Sequence, residues 1–191
     1  MKYRLFRWLF SFLVALFLLP TPASSGQSAA QLTVINALKL DNLCAVIDMA
    51  QVVAGEYRRI GSAVGDIPSG IGGASRTSNQ IGDAAEEQIR ERLQRAGLPF
   101  EAEVPFKGAS GNARRGDFVV KVKVERAGIV NIESKNVARI TKDNFRQIWD
   151  YGDHTIVAVR RGARVSRGVA HLLKNLSTHG LITVLDCAFL I

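Results

Sequence analysis

Residues 114 to 135, Arg-Arg-Gly-Asp-Phe-Val-Val-Lys-Val-Lys-Val-Glu-Arg-Ala-Gly-Ile-Val-Asn-Ile-Glu-Ser-Lys, constrain the fold more than any other stretch. Apolar residues alternate at Phe118, Val120, Val122 and Val124, and 129–135 is a second β-rich run behind the turn-forming Ala127-Gly128. Two paired strands follow. Strand side chains repeat every two residues, so Glu133 and Lys135 project from one face of the second strand. Pairing sets Asp117, at the start of the first strand, beside that patch.

The rest of the chain reads as a shell for this hairpin. Residues 31–57 carry Leu40, Leu43, Ile47, Ala50, Ala54 and Tyr57 at three- and four-residue spacing, interrupted by Asp48 and Gln51, and predict one long amphipathic helix. Its expected role is to pack on the domain that follows or on another copy. Gly61, Gly65, Gly70, Gly72 and Gly73, with Pro68 and several serines, mark a linker without the Lys-Ser/Thr of a phosphate-binding loop. A helix is expected over 83–96 with Gly97 as its stop, then a strand over 100–106 with Phe100, Ala102, Val104 and Phe106 inward. After Lys135 come a helix over 141–151, capped by Thr141 with Phe145, Ile148 and Trp149 as its apolar face, a strand over 155–159, a helix over 169–179 and a strand over 181–185. Helix, three strands, helix, strand, helix, strand predicts an α/β fold, a central mixed β-sheet flanked by helices. The domain division is 1–30, 31–60, 61–79 and 80–191.

Two carboxylates and an ammonium gathered at one spot are what a divalent-metal phosphodiesterase needs: oxygen ligands for Mg²⁺, and a lysine to orient or deprotonate an attacking water. The plain alternative is a surface salt bridge between Glu133 and Lys135, worth under about 1 kcal/mol. Asp117 followed on the next strand by Glu133-Ser134-Lys135 resembles the PD-(D/E)XK nucleases, with Gly116 standing where the signature's proline falls. The resemblance spans residues 80 to 187 and implies a restriction-endonuclease-like core preceded by an N-terminal helical segment. It implies Mg²⁺, or Mn²⁺, held by Asp117, Glu133 and Glu86 with the backbone carbonyl of Ser134 as a further oxygen, and Lys135 positioning the water. Glu86 matches the family's first-helix glutamate, while Asp83-Ala-Ala-Glu86 is also a capping-box pattern in which Glu86 only satisfies a backbone N–H. Glu87 is the second choice. Gln147 and Tyr151, four residues apart, resemble the Gln-x-x-x-Tyr feature of the RecB-like and lambda-exonuclease-like branches, where those side chains line the DNA-facing site. Arg139, Lys142 and Arg146 would add phosphate contacts.

Charge agrees with a polyanionic partner. From Lys107 onward there are 15 basic and 7 acidic residues, against 7 basic and 10 acidic over 26–106, so the acid-x-Lys half is the basic half. Arg160, Arg161, Arg164 and Arg167 fit either this face or a solvated loop. His154, His171 and His179 show no metal-ligand spacing, and no serine or cysteine nucleophile has a local histidine pattern. Lys2, Arg4 and Arg7, the apolar run 8–19, and Pro20 with Ala23 and Ser25 make an export signal, too short to span a bilayer. The expectation is a periplasmic or secreted protein with no stable membrane span after cleavage, an uncleaved anchor being the minor alternative. Cys44 and Cys187 are then either a disulfide or two buried thiols. The expected function is an exported Mg²⁺-dependent nuclease acting on nucleic acid, DNA by resemblance, with an inhibitor (immunity) protein as partner if it is a toxin and a second copy as another. The alternative is a non-catalytic nucleic-acid-binding or envelope assembly module retaining the nuclease fold.

Overall fold

The computed structural model describes residues 27–39, 42–54, 58–60, 77–122, 128–152 and 154–189. The body of the expected signal, most of the glycine-rich linker, Tyr57 and the turn at Ala127 lie outside the described residues. Five helices, α1 (Ala29–Leu38), α2 (Met49–Val53), α3 (Ser78–Arg95), α4 (Lys142–Asp150) and α5 (Arg167–Thr178), are described. The nine described strands are β1 (Cys44–Val46), β2 (Arg58–Arg59), β3 (Phe100–Lys107), β4 (Ala113–Val122), β5 (Gly128–Lys135), β6 (Arg139–Ile140), β7 (Thr155–Arg160), β8 (Arg164–Val165) and β9 (Ile182–Cys187). The protein is α/β: six strands in the order β1-β9-β7-β5-β4-β3 form a mixed central sheet flanked by helices. Strands β5, β7 and β9 are parallel, and β1, β4 and β3 run against their neighbours.

Parallel neighbours need crossovers, and α4 and α5 supply them. Their apolar residues Ile148, Val169, Ala170 and Leu173 pack with Val157, Val159, Ile182 and Val184 on one sheet face. On the other face α1 and α3 bury Val34, Ile35, Leu38, Ala85, Ile89 and Leu93 against Phe118, Ile132, Ile156 and Leu185. The alternation expected of the hairpin holds, since Phe118, Val120 and Val122 are all buried. Asp117 lies within β4 rather than at its start, because β4 pairs with β3 from Ala113 onward.

The single helix expected over 31–57 is corrected. Helix α1 stops at Leu38, Asn42 takes a left-handed φ of 57°, and Cys44–Val46 is an edge strand paired with Cys187–Leu185. Asp48 does not interrupt a helix; it starts α2, accepting the Ala50 N–H at 2.8 Å. The helix-like spacing of Leu43 and Ile47 belongs to a strand and its exit, because sheet pairing and a Cys44–Cys187 disulfide outweigh local periodicity. Segment 29–54 thus adds a strand to the main sheet and a helix to its core. Among the described residues no helix is long and apolar enough to cross a membrane.

One helix boundary and one buried face also differ. Helix α3 begins five residues before Asp83, because Thr77 and Gln80 form its capping box. Trp149, expected on the buried face of α4, is 48% exposed, while Ile148 takes the core position.

Candidate active site

The β4–β5 ladder pairs Phe118 with Ile132, and one further step sets Asp117 across from Glu133. There the carboxylate stands in for a backbone partner: Asp117 Oδ2 accepts the Ser134 N–H at 2.6 Å. Ser134 turns its N–H, and hence its carbonyl, toward β4, while its hydroxyl is buried without a partner. Glu133 and Lys135 lie opposite Val157 and Val159 and share their sheet face, the one covered by α4 and α5.

Glu133 is only 2% exposed. Its Oε1 accepts from the Lys135 ammonium, while Oε2 is buried with no hydrogen-bond partner. The Glu133 carboxyl is pushed up to about 7, first by burial and then by the Asp117 charge, with Lys135 holding it back. Asp117 is likewise raised by burial, against the opposing pull of the Ser134 N–H, Lys135 and Arg115. This is not the exposed salt bridge of the plain alternative, because both carboxyls are desolvated and resist ionisation together.

Glu86 approaches from α3. It sits two turns inside the helix, so the capping-box reading is corrected: Gln80, not Glu86, serves the cap. Its carboxyl is raised by burial first and then by Asp117, which puts the two in each other's field. Glu87 instead faces solvent and pairs with Arg90 at 3.1 Å.

Tyr151, at the end of α4, is buried against Phe106 with ring centroids 5.1 Å apart. Its hydroxyl donates to the Arg115 carbonyl oxygen at 2.9 Å. Burial and then the nearby Glu133 charge raise the phenol above its ordinary range. Gln147 is exposed, and its side chain makes no hydrogen bond among the described residues. Arg139, Lys142 and Arg146 are also exposed, Arg146 pairing with Asp143 at 3.1 Å. Asp117, Glu133, Lys135, Ser134 and Tyr151 therefore converge, Glu86 borders them, and the other four expected contacts stay on the surface.

Two features escaped sequence reasoning. Glu103 occupies the register position across from Asp117, takes a left-handed φ of 54°, pairs with Arg115 at 3.4 Å, and adds to the upward push on Asp117 and Glu86. Its signal was the outward phase of β3, but only register brings it near the site. Asp150, buried, accepts from the Ser110 N–H at 2.9 Å and from Arg114 Nε and Nη2 at 2.6 and 2.5 Å. This network holds the end of α4, and with it Tyr151, to the β3–β4 turn. Nothing in the spacing of 114 and 150 announces it.

For a divalent cation, the unpartnered Glu133 Oε2 beside Asp117 is the fitting feature, since buried carboxylate oxygens without donors are costly. The fit is to a pair of carboxylates. Among the described residues no three acidic, histidine or cysteine side chains form a preassembled metal-binding group. No protein-family model, curated protein or solved structure matches the chain.

Proposed function

We propose that the protein is an exported, divalent-metal-dependent nuclease of the PD-(D/E)XK type, hydrolysing phosphodiester bonds in DNA. One observation carries the reading: a buried glutamate, Glu133, holds a lysine on one oxygen and makes no hydrogen bond through the other, the nearby Tyr151 hydroxyl being given to the Arg115 carbonyl, and it lies next to a second, largely desolvated carboxylate, Asp117. Asp117 and Glu133 would hold Mg²⁺ or Mn²⁺, with Glu86 and the Ser134 carbonyl as nearby oxygens. When bound, such an ion supplies Lewis-acid polarisation of a phosphate and acidifies a water.

The chain's own groups do the rest. Lys135, kept at Glu133, aligns the attacking water and offsets charge that grows on the phosphate in the transition state. The Ser134 N–H holds Asp117 in one orientation. Tyr151 closes the site beside Glu133 and keeps water from its buried side. The disulfide supports export, because such bonds persist in oxidising compartments.

Plasmid DNA, linear DNA and RNA incubated with the chain, with and without EDTA, test the proposal beside Lys135→Ala and Asp117→Ala. EDTA-sensitive cleavage of DNA that both substitutions abolish is expected; cleavage that survives both overturns it. Because Lys135 occupies one oxygen of Glu133 and three acids do not assemble among the described residues, a second reading is a binding module without catalysis. Its outcome would be salt-dependent DNA binding with no cleavage in Mg²⁺ or Mn²⁺.

A further inference from the structure

Arginines crowd a cleft beyond the carboxyl end of β7. Arg139, Arg160, Arg161 and Arg164, with Ala138, Gly162 and Ala163 between them, line a cavity of about 450 Å³. The small sheet β2-β8-β6 sets them in a row: Arg139 pairs with Arg164, and Arg59 occupies the register position on Arg164's other side. Ile140 and Val165 are buried, so Arg139 and Arg164 share the opposite, solvent face. Like charges on directly opposed strand positions disfavour the sheet. The backbone nevertheless holds them there: Gly162 N–H to Ile60 O at 2.7 Å, Arg164 N–H to Ala138 O at 2.9 Å, and Arg161 N–H to Cys187 O at 2.8 Å.

Compensation is partial. Arg161 donates Nε to the buried Asp186 at 3.2 Å. Arg139, Arg160 and Arg164 have no carboxylate partner among the described residues. A cleft that gathers three guanidiniums without carboxylate partners suits an external oxyanion, because arginine's planar fork matches phosphate oxygens bidentately.

We propose that this cleft binds backbone phosphates of a polynucleotide flanking the bond held at Glu133 and Lys135. Its choice of polynucleotide rests on the nuclease reading above. Register supports the placement: Lys135 lies opposite Val159, and Val159 opposite Asp186, the partner of Arg161. Two strand spacings are about 10 Å, or roughly three nucleotides of rise along one strand. The cleft and the candidate catalytic face are thus within reach of one bound strand.

The test is binding of a short fluorescent DNA duplex in EDTA, where no cleavage interferes, across a salt series, with phosphatidylglycerol vesicles titrated in parallel. Arg139→Gln/Arg164→Gln is compared with Lys121→Gln/Lys174→Gln, which removes equal charge elsewhere, and with Arg139→Lys/Arg164→Lys, which removes none. The cleft glutamine pair should weaken binding about tenfold and lower the slope of log affinity against log salt by about 2, the control pair less, and the lysine pair should keep the slope. DNA binding unchanged in the glutamine pair, an equal loss in both glutamine pairs, or a loss confined to phosphatidylglycerol vesicles overturns the assignment. Selective loss of DNA binding from a chain that cleaves nothing keeps the cleft and overturns the nuclease reading instead.

Discussion

Glu133 and Lys135, two residues apart on β5, form a nearly dry ion pair in which the ammonium engages Oε1 and leaves Oε2 buried and unpartnered. A pair of this kind adds little net stability to the fold, because replacing both partners by apolar groups costs little while removing one is expensive.

Lys135→Met should therefore be destabilising in a pH-dependent way. At pH 8 Glu133 loses the counter-charge that favours its ionised form and must either bury its charge alone or take up a proton, and the loss should be up to about 3 kcal/mol. At pH 5 the carboxyl is protonated and the loss should shrink to under about 1 kcal/mol. Urea unfolding at the two pH values checks this, and equal losses would argue against the pair.

Glu133 also sets a stability slope in the metal-free chain. Its folded pKa, about 7, lies above the ordinary 4.5, so the fold favours the protonated form. That contribution is complete below 4.5, is lost as pH rises to 7, and amounts to roughly 3 kcal/mol. Asp117 and Glu86 are shifted the same way and add to it. Glu133→Gln should flatten the slope between pH 5 and 8. Added Mg²⁺ should restore stability at pH 8 in the unsubstituted chain and fail to do so in Glu133→Gln.

The Asp150 network predicts the opposite sign. Hydrogen bonds from Ser110, then Arg114, hold the Asp150 carboxyl below the ordinary 3.8, so its contribution is present above that value and is lost as pH falls below it. Asp150→Ala should cost about 3 kcal/mol at neutral pH by leaving the partly buried Arg114 and the Ser110 N–H without their acceptor. On the proposed nuclease reading, the loss of Tyr151's anchor at the end of α4 should lower DNA cleavage about tenfold even where the variant remains folded. Thermal unfolding and cleavage rates separate the two effects.

Reduction of Cys44–Cys187, which closes a loop of 143 residues, should lower stability by about 2–5 kcal/mol. Proteolysis should then begin near β1, the edge strand the bond ties to β9. Melting with and without a phosphine reductant, followed by mapping of the first cleavage, checks both.

Much of the sheet could be read from local periodicity. The two-residue alternation of 118–122 and of β3, the Gly97 stop and the Thr141 cap all appear as expected, because each is specified within a few residues. The stretch 31–57 misled because Leu43, Ile47 and Ala50 satisfy a helical spacing by crossing from a strand into a short capped helix. Asp83 misled because a capping pattern recurs inside a helix that Thr77 had already begun.

For the candidate site, the two-residue strand repeat by itself determined that Glu133 and Lys135 share a face, and the order of elements determined the fold class. Only the tertiary structure decided that Asp117 meets Ser134, that Glu103 and Glu86 border it, and that Glu133 loses its water. Side-chain phase is a property of a strand's own backbone, whereas register and desolvation arise when segments distant in the chain pack together, and they set the charge state on which any chemistry here depends.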